Sequence, residues 1–262
     1  MSASPMIGYA HIAKTFDHGR VMAVDDVSLD VAQGELVAIV GGSGSGKTTL
    51  LRLTNRLIEA DRGHISLEGT DIRSIDPVKL RRRIGYVFQS GELFPHMSVA
   101  DNIGITPRLL GKSATEIAAR VDELLELVRL DGNQHRDRLP QELSGGQRQR
   151  VGVARALAAK PRIVLMDEPF GALDPLTRDA LREDYRTLHR ELGLTTVMIT
   201  HDMTEAILLA DRIAVLRAGK LLAQGAPAEL AESRDPYVAE LLRTPRRQTE
   251  QLNTLLPHNG VT

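Results

Sequence analysis

A glycine-rich stretch near the start of the chain has the residue types and spacing that bind nucleotide phosphates, in the pattern G-x-x-x-x-G-K-[ST]. Its residues are Gly41, Gly42, Ser43, Gly44, Ser45, Gly46, Lys47 and Thr48, followed by Thr49. Glycines let several backbone N–H groups face one centre, and the lysine reaches the β- and γ-phosphates. The Thr48 hydroxyl is a Mg²⁺ ligand in this pattern. The stretch therefore predicts a nucleotide site.

A pair of acids stands at the end of an apolar run in the second half of the chain. Residues 163–166 are apolar and predict a buried strand, and Asp167 and Glu168 follow. Placing two carboxylates at the tip of a buried strand is costly unless they meet a cation. We interpret Asp167 as a group that holds Mg²⁺ through water and Glu168 as the group that orients or deprotonates an attacking water. The alternative is a strand that ends in a polar turn.

Two further polar residues end predicted strands. Gln89 follows the strand 84–88, and His201 follows the β-rich run 195–200. A side chain at the carboxyl end of a parallel strand points toward the crevice where ligands bind, and a histidine there can donate a hydrogen bond to a γ-phosphate. A surface glutamine and a structural histidine are the alternatives.

A second phosphate-ready segment begins the helix predicted from residue 144 through 159. Its first residues are Ser144, Gly145, Gly146 and Gln147. Serine suits the N-cap, and the two glycines leave the first N–H groups of the helix accessible. An ordinary capped helix is the alternative.

Phe16 is a candidate for stacking on an adenine ring. Aromatic residues make up 3% of the chain, so each ring needs a reason. A phenylalanine in the hydrophobic core is the alternative, and its spacing alone favours the core.

The elements between these residues follow recognisable patterns. Residues 36–40 predict a buried strand before the phosphate loop, and residues 47–58 predict the helix after it. Residues 9–16, 24–31 and 65–67 predict an antiparallel β layer. Residues 213–216 and 221–223 predict a hairpin.

Residues 91–140 predict no strand. An amphipathic helix is indicated by Ile117, Val121, Leu124, Leu125 and Val128, with Ser113 or Thr115 as its cap. We interpret the region as a helical insertion in an α/β core. Beyond Pro245 the chain is polar, and we expect it to be poorly ordered.

Composition restricts the class of protein. The chain has 262 residues and a net charge of −1, which argues against a protein dominated by nucleic-acid binding but leaves room for a local basic patch. It has no cysteine, which excludes disulfide and thiolate metal sites. No apolar run approaches the roughly 18 residues of a membrane helix, and residues 1–14 have no apolar core of a signal peptide. We expect any membrane role to come through a partner.

Taken in order, these motifs resemble the ATPase subunit of ABC transporters, over about residues 7 to 243. The phosphate loop matches Walker A, and Gln89 matches the glutamine of the Q-loop. Residues 143–147 read L-S-G-G-Q, which is the signature motif. Residues 163–168 match Walker B with its following glutamate, Asp174 lies in the A-L-D of a D-loop, and His201 matches the switch histidine.

The resemblance implies an α/β fold with a P-loop NTPase (RecA-like) core, an antiparallel β subdomain and an inserted helical subdomain. Residues 1–90 and 141–244 would form the two parts of the nucleotide-binding core, residues 91–140 the helical subdomain and residues 245–262 a tail. It also implies ATP and Mg²⁺ as cofactors. The residues expected to bind the metal are Thr48, Gln89 and Asp167, and the expected catalytic residues are Glu168, Gln89 and His201. Phe16 stands where the family usually has an adenine-stacking tyrosine.

The same resemblance implies partners. ATP would lie between the phosphate loop of one copy and Ser144–Gln147 of another, with Asp174 near it, in a head-to-tail homodimer. Transmembrane permease subunits would bind the helical subdomain at the cytoplasmic face of the membrane, and an extracytoplasmic binding protein would act indirectly. Nucleic acid is not expected.

Four stretches are most similar to importers of glycine betaine, choline and proline: residues 84–89, 93–97, 151–155 and 170–178. Importers of another cargo, such as an amino acid or a lipid, share part of these stretches. A soluble ABC ATPase acting on DNA or ribosomes is a further alternative, usually with two cassettes or a long coiled coil. A non-hydrolysing module would be expected to lack the acid that Glu168 provides.

Overall fold

The computed structural model of the protein describes residues 4–89 and 91–255. The strands are β1 (Ile7–Phe16), β2 (Val21–Val31), β3 (Leu36–Val40), β4 (Arg62–Leu67), β5 (Thr70–Asp71), β6 (Ile84–Val87), β7 (Ile163–Asp167), β8 (Thr195–Thr200), β9 (Arg212–Arg217) and β10 (Lys220–Gly225). The helices are α1 (Lys47–Thr54), α2 (Pro77–Arg82), α3 (Val99–Leu109), α4 (Ala114–Leu127), α5 (Gly132–His135), α6 (Gly145–Leu157), α7 (Pro175–Glu191), α8 (Met203–Leu209), α9 (Pro227–Leu230) and α10 (Pro236–Leu255). Among the helices of residues 4–89 and 91–255, none has both the length and the apolar composition of a membrane-spanning segment.

The larger sheet has the strand order β10-β9-β3-β8-β7-β6, and only β10 runs antiparallel to its neighbour. Every residue of β3 is buried, with Leu36, Ala38 and Val40 in one hydrophobic cluster and Val37 and Ile39 in the other. Burial on both faces is typical of a central parallel strand. Because β3, β6, β7 and β8 are parallel, the residues that follow them lie along one edge of the sheet.

The smaller sheet is antiparallel, in the order β2-β1-β4-β5. It reaches the larger sheet at the hairpin of β9 and β10, where the N–H of Asp25 donates to the carbonyl of Gly219 at 2.8 Å. The predicted α/β architecture with a mainly parallel sheet and an antiparallel β layer is therefore confirmed.

Helices occupy the segment in which the sequence predicts no strand. Of the two cap candidates of α4, Ser113 is the cap: its Oγ accepts from the N–H of Glu116, and the Glu116 carboxylate accepts from the N–H of Ser113. This reciprocal pair satisfies two N–H groups that the helix itself leaves open. Val121, Leu124 and Leu125 face the core. The assignment of residues 91–140 to a separate subdomain stays a prediction.

Helix α1 is shorter than the sequence predicts, because it ends at Thr54 rather than at residue 58. Arg56 takes a φ of 53°, in the left-handed region where a helix cannot continue. Its guanidinium donates to the carbonyls of Ile72 and Ile75 at 3.1 and 2.8 Å. Leu57, an apolar residue inside the predicted helix 47–58, is 49% exposed.

The segment from residue 245, predicted to be poorly ordered, continues α10 through Leu255 in the structure; residues 256–262 of that tail lie outside the described residues. Pro245 lies inside the helix and contributes no N–H bond there. The preceding turns are held by Val238 and Leu242, which are buried in the main core, and Pro245 lines one cavity together with Thr204 and Leu208 of α8. Tertiary packing explains why polarity and one proline did not end this helix.

Asp61 fastens the end of β1 near Phe16. Its carboxylate accepts from Lys14 Nζ at 2.7 Å, from the Thr15 N–H at 2.6 Å and from the Thr15 hydroxyl at 2.8 Å. These bonds, the one from Lys14 first, lower the pKa of Asp61 to about 2. A carboxyl with a depressed pKa contributes stability above its unfolded pKa, and that stability is lost as the pH falls through the folded value.

We therefore expect Asp61→Asn to destabilise the protein by about 1 kcal/mol at neutral pH, a discounted figure because water screens a partly exposed ion pair. The difference from the unaltered chain should shrink from about pH 4 downward. Urea unfolding at neutral pH and at two pH values between about 4 and 2 measures it. A difference in the free energy of unfolding that stays constant over that range would show that the geometry of the hydrogen bonds, and not the charge of Asp61, stabilises the protein.

Candidate functional site

The phosphate loop, residues 41–48, runs from the end of β3 into the first turn of α1. A Cβ at Gly41 would lie 2.1 Å from the Leu216 carbonyl oxygen, and one at Gly46 would lie 2.2 Å from the Ala23 carbonyl oxygen. Both glycines also have positive φ angles, 153° and 102°. Glycine is thus required at both positions by backbone that approaches closely from β9 and β2.

Lys47 is directed into this loop and is 7% exposed. Its ammonium donates to the carbonyls of Gly41 and Gly42 at 2.8 and 3.0 Å. Burial lowers the pKa of Lys47, and the carboxylates of Glu168 and Asp167 oppose that effect. The ammonium therefore lies within the electrostatic reach of the acids that the sequence predicts to work with it.

Asp167 ends β7 and is desolvated. Burial raises the pKa of its carboxyl, while the Arg52 guanidinium acts in the opposite direction. The Tyr86 hydroxyl donates to Asp167 Oδ2 at 3.4 Å. A partly buried carboxylate that forms no ion pair within residues 4–89 and 91–255 is suited to bind a cation.

Glu168 joins the other two predicted catalytic residues. Its Oε2 accepts from Gln89 Nε2 at 3.2 Å and lies 3.2 Å from His201 Nδ1. The three residues follow β6, β7 and β8, so the parallel sheet brings them to one edge. Glu168 has a φ of 45°, an uncommon conformation for a residue with a side chain, of the kind that concentrates at functional sites.

Phe16 lies at the end of β1 and is 41% exposed, so it is not a core phenylalanine. The Lys14 ammonium lies 5.6 Å from its ring centroid. Val21 and Met22, which pair with Phe16 and Thr15 across the hairpin, are also exposed. This apolar end of the β1–β2 ribbon was not predicted from the sequence. The sequence did contain a sign of it, because two large apolar residues, Val21 and Met22, precede the alternating apolar and polar residues of β2.

The second phosphate-ready segment has the geometry of a capped helix start. Ser144 Oγ accepts from the Gln147 N–H at 3.2 Å, and Gln147 Oε1 accepts from the Ser144 N–H at 2.9 Å. A Cβ at Gly146 would lie 2.3 Å from Thr177, whose N–H is capped by Asp174. Within residues 4–89 and 91–255, no hydrogen bond joins Ser144, Gly145, Gly146, Gln147 or Asp174 to the phosphate loop. One copy of the chain thus holds two separate phosphate-ready segments.

A tyrosine that the sequence analysis missed contacts the phosphate loop. The Gly42 N–H donates to the Tyr237 hydroxyl at 3.0 Å, and the Arg217 guanidinium lies 4.6 Å from the Tyr237 ring centroid. Tyr237 lies in the first turn of α10, where Asp235 caps the helix by accepting from the N–H groups of Tyr237 and Val238. In the sequence, the scarcity of aromatic residues was the one feature that could have drawn attention to Tyr237.

We expect Tyr237→Phe to weaken ATP binding about threefold, since one hydrogen bond to the loop is worth about 1 kcal/mol or less in water. The ring would stay under Arg217, so thermal stability should be unchanged. Calorimetric titration with ATP measures the effect. Thr244→Ala, which removes an exposed hydroxyl bonded to the carbonyl of Glu240 on the same helix, is the control. Equal affinities for the two variants would remove Tyr237 from the site.

The chain is similar to proteins of known family and structure. A model of the ABC transporter family matches residues 24–171. The chain is 50% identical over 225 residues to the glycine betaine/carnitine/choline transport ATP-binding protein OpuCA of Bacillus subtilis, which covers 86% of the chain and 59% of that protein. It is also 50% identical over 222 residues to the glycine betaine uptake system ATP-binding protein YehX of Escherichia coli, covering 85% and 71% respectively.

Among solved structures, the dimeric post-hydrolysis state of the ATP-binding cassette MJ0796 bound to ADP and Pi is similar with a TM-score of 0.76 and 33% identity, over 84% of this chain and 98% of that one. The chain spans about three fifths of the length of the Bacillus subtilis transport proteins that it matches.

Proposed function

This chain belongs to the ABC transporter family, and from that premise we propose that it is the ATP-hydrolysing subunit of an importer for an osmoprotectant such as glycine betaine, choline or proline. The observation that carries the proposal is the meeting of Gln89, Glu168 and His201 beside the loop that holds Lys47. These are the groups that ATP hydrolysis needs: a phosphate cradle, a base for water and polar groups that hold both.

The residues of the loop fit ATP with Mg²⁺. Ser45 Oγ is buried and has no hydrogen-bond partner among the described residues, which suits a phosphate oxygen. Thr48, Gln89 and Asp167 offer a hydroxyl, an amide and a carboxylate, the oxygen ligands that Mg²⁺ prefers. When bound, Mg²⁺ would supply positive charge against the phosphate oxygens.

The chain's own residues account for the rest of the reaction. Lys47 exchanges the Gly41 and Gly42 carbonyls for the β- and γ-phosphates. Glu168 orients a water, whose oxygen bonds to the γ-phosphorus while the bond from that phosphorus to the β–γ bridging oxygen breaks. The proton of the water passes to Glu168, and ADP and phosphate result. Gln89 and His201, both 3.2 Å from Glu168, fix the carboxylate and meet the γ-phosphate.

Phe16 is proposed to stack on adenine. Its exposed ring stands beside exposed Val21 and Met22, and β2 passes the phosphate loop at Ala23. Stacking needs only the ring face. The phenol contact available to the family's usual tyrosine is absent.

Two copies are proposed to complete two sites head to tail. Ser144–Gln147 and Asp174 make no hydrogen bond to the phosphate loop of their own chain within the described ranges, and a solved cassette with 33% identity is described as dimeric. In the proposed dimer, the N–H groups at the start of α6 bind the ATP held by Lys47 of the second copy.

A permease is the proposed transmembrane partner, with the chain peripheral at the cytoplasmic face and the substrate-binding protein coupled only through that permease. Phe94 follows the γ-phosphate-directed Gln89 and is 42% exposed, as a docking aromatic would be. Residues 91–140 are proposed as the helical subdomain that carries this contact, between core segments 1–90 and 141–244.

The osmoprotectant cargo is proposed from the printed names of the relatives, because the cargo does not touch this chain. Uptake of radiolabelled glycine betaine into vesicles that contain this chain, its permease and its binding protein tests it, with radiolabelled choline, proline, another amino acid and a lipid assayed in parallel. ATP-dependent uptake of glycine betaine is expected. ATP-dependent uptake of a different cargo alone would overturn the assignment and leave the ATPase proposal standing, and ATPase activity without any uptake would favour a soluble ABC ATPase.

A further inference from the structure

Arg155 is a buried cation that the proposed reaction does not use. It lies on α6 and is 8% exposed. Within residues 4–89 and 91–255, no carboxylate forms an ion pair with it. Burying an unpaired charge is costly, so the chain must satisfy this guanidinium in another way.

The compensating groups all come from the Gln89 loop, which we define as Phe88, Gln89 and residues 91–94. Arg155 Nη1 donates to the Glu92 carbonyl at 3.0 Å, and Nη2 donates to the Gly91 carbonyl at 3.1 Å. The guanidinium carbon lies 5.6 Å from the ring centroid of Phe88 and 5.8 Å from that of Phe94. Two carbonyls and two aromatic faces thus surround one planar cation.

The backbone of the Gln89 loop packs directly against the backbone of α6. A Cβ at Gly91, where φ is +79°, would lie 2.9 Å from the Arg148 carbonyl oxygen, and a Cβ at Gly152 would lie 3.2 Å from Gly91 Cα. No side chain separates the loop from the helix at this point. The two hydrogen bonds of the guanidinium and the close approach at the two glycines therefore fix the position of the Gln89 loop relative to α6.

The contact between the Gln89 loop and α6 lies between two parts of the proposed nucleotide sites. Gln89 reaches Glu168 at 3.2 Å on one side of the loop. On the other side, α6 begins at Gly145, just after Ser144, roughly 16 Å along the helix axis from Arg155. Because the turns of α6 are joined by backbone hydrogen bonds, we expect a shift of the Gln89 loop to move the segment proposed to meet the second copy's ATP.

We infer that Arg155 is a positioning residue for ATP hydrolysis, which locks the Gln89 loop to α6 and so couples the γ-phosphate contact in one site to the segment that completes the other. The inference rests on the proposed function. It predicts that a substitution at Arg155 acts through Gln89, and that nucleotide affinity at Lys47, which Arg155 does not touch, is spared.

The test is a double-mutant cycle on the purified full chain. Arg155→Lys keeps the positive charge and removes the planar guanidinium, whose two nitrogens donate to the Gly91 and Glu92 carbonyls. Arg120→Lys is the matched control, because Arg120 also donates to two backbone carbonyls, those of Leu157 and Ala158 at the end of α6, and not to the Gln89 loop. We measure kcat and ATP affinity for each variant, alone and combined with Gln89→Ala.

We expect Arg155→Lys to lower kcat about tenfold in the unaltered chain and less than twofold in the Gln89→Ala background, because groups that act as one unit are not additive. ATP affinity should change less than twofold throughout, and Arg120→Lys should change kcat less than twofold in both backgrounds. Equal losses in both backgrounds, or a loss confined to ATP affinity, would overturn the inference.

Hydrogen–deuterium exchange supplies a readout that does not need activity. The amides of Gly91 and Phe94, which donate to the Phe88 carbonyl and to Asn102 Oδ1, should exchange at least tenfold faster in Arg155→Lys and at an unchanged rate in Arg120→Lys. Equal exchange in the two variants would overturn the inference. If Arg155→Lys does not fold, Phe88→Leu removes one ring face and should give about a threefold loss of kcat that again disappears with Gln89→Ala. An unaltered chain without ATPase activity would refute the proposed function, whereas the exchange comparison would still decide whether Arg155 locks the loop.

Discussion

Glu168→Gln is expected to leave ATP binding intact and to lower the rate of hydrolysis at least 100-fold. Glutamine keeps the shape of the side chain but cannot accept the proton of the attacking water, and a general base contributes roughly 10²- to 10⁴-fold to a rate. The carboxylate also holds Gln89 and His201, each 3.2 Å away, so its loss removes the group that organises both.

Calorimetric titration with ATP and a phosphate-release assay measure the two halves of this prediction on the same preparation. Glu183→Gln, an exposed glutamate on α7 away from the site, is the control and should hydrolyse ATP normally. The Glu168→Gln variant should retain bound ATP, and its ATP-dependent dimer should persist during gel filtration. Near-normal turnover would mean that another group positions the water.

Ser144→Arg is expected to abolish ATP-driven dimerisation while each monomer still binds nucleotide. A long side chain at this position would occupy the space in which the second copy's ATP must meet the start of α6. Losing the cap itself costs only about 1 kcal/mol. Ser113→Arg removes the cap of α4, which is the same kind of reciprocal capping pair with Glu116 in the place that Gln147 takes beside Ser144, and is therefore the matched control.

Analytical ultracentrifugation with and without ATP, in the Glu168→Gln background so that the nucleotide survives, reports the dimer. We expect Ser113→Arg to dimerise and Ser144→Arg to stay monomeric. Mixing Ser144→Arg with a Lys47→Ala variant, both with Glu168 intact, should restore measurable ATPase activity, because one composite site of the mixed dimer is intact. A normal ATP-dependent dimer of Ser144→Arg would contradict the head-to-tail arrangement.

The sequence was most informative where function depends on the ends of consecutive parallel strands. Gln89, Glu168 and His201 each follow a strand with its own local pattern, and parallel strands bring such residues to one edge. The caps Ser113 and Ser144 were predictable for a similar reason, since a helix start is a local feature.

Features that depend on distant contacts were not predictable. The carbonyl that Arg155 binds on Glu92 is 63 residues away, and the Gly42 N–H that contacts Tyr237 is 195 residues away. Neither partner is a side chain, so no complementary residue type marks the pair. The early end of α1 at Thr54 and the continuation of α10 past Pro245 have the same origin, because tertiary contacts override local propensity in both.

Stimulation of ATP hydrolysis by cargo tests the proposed importer most directly. The chain is reconstituted in liposomes with its permease, and the binding protein is added with or without glycine betaine while phosphate release is followed. We predict that glycine betaine raises the rate several-fold only when the binding protein is present, and that the Glu168→Gln complex shows no hydrolysis in either condition. A rate that is the same with and without every osmoprotectant tried, in a complex that hydrolyses ATP, would contradict the account.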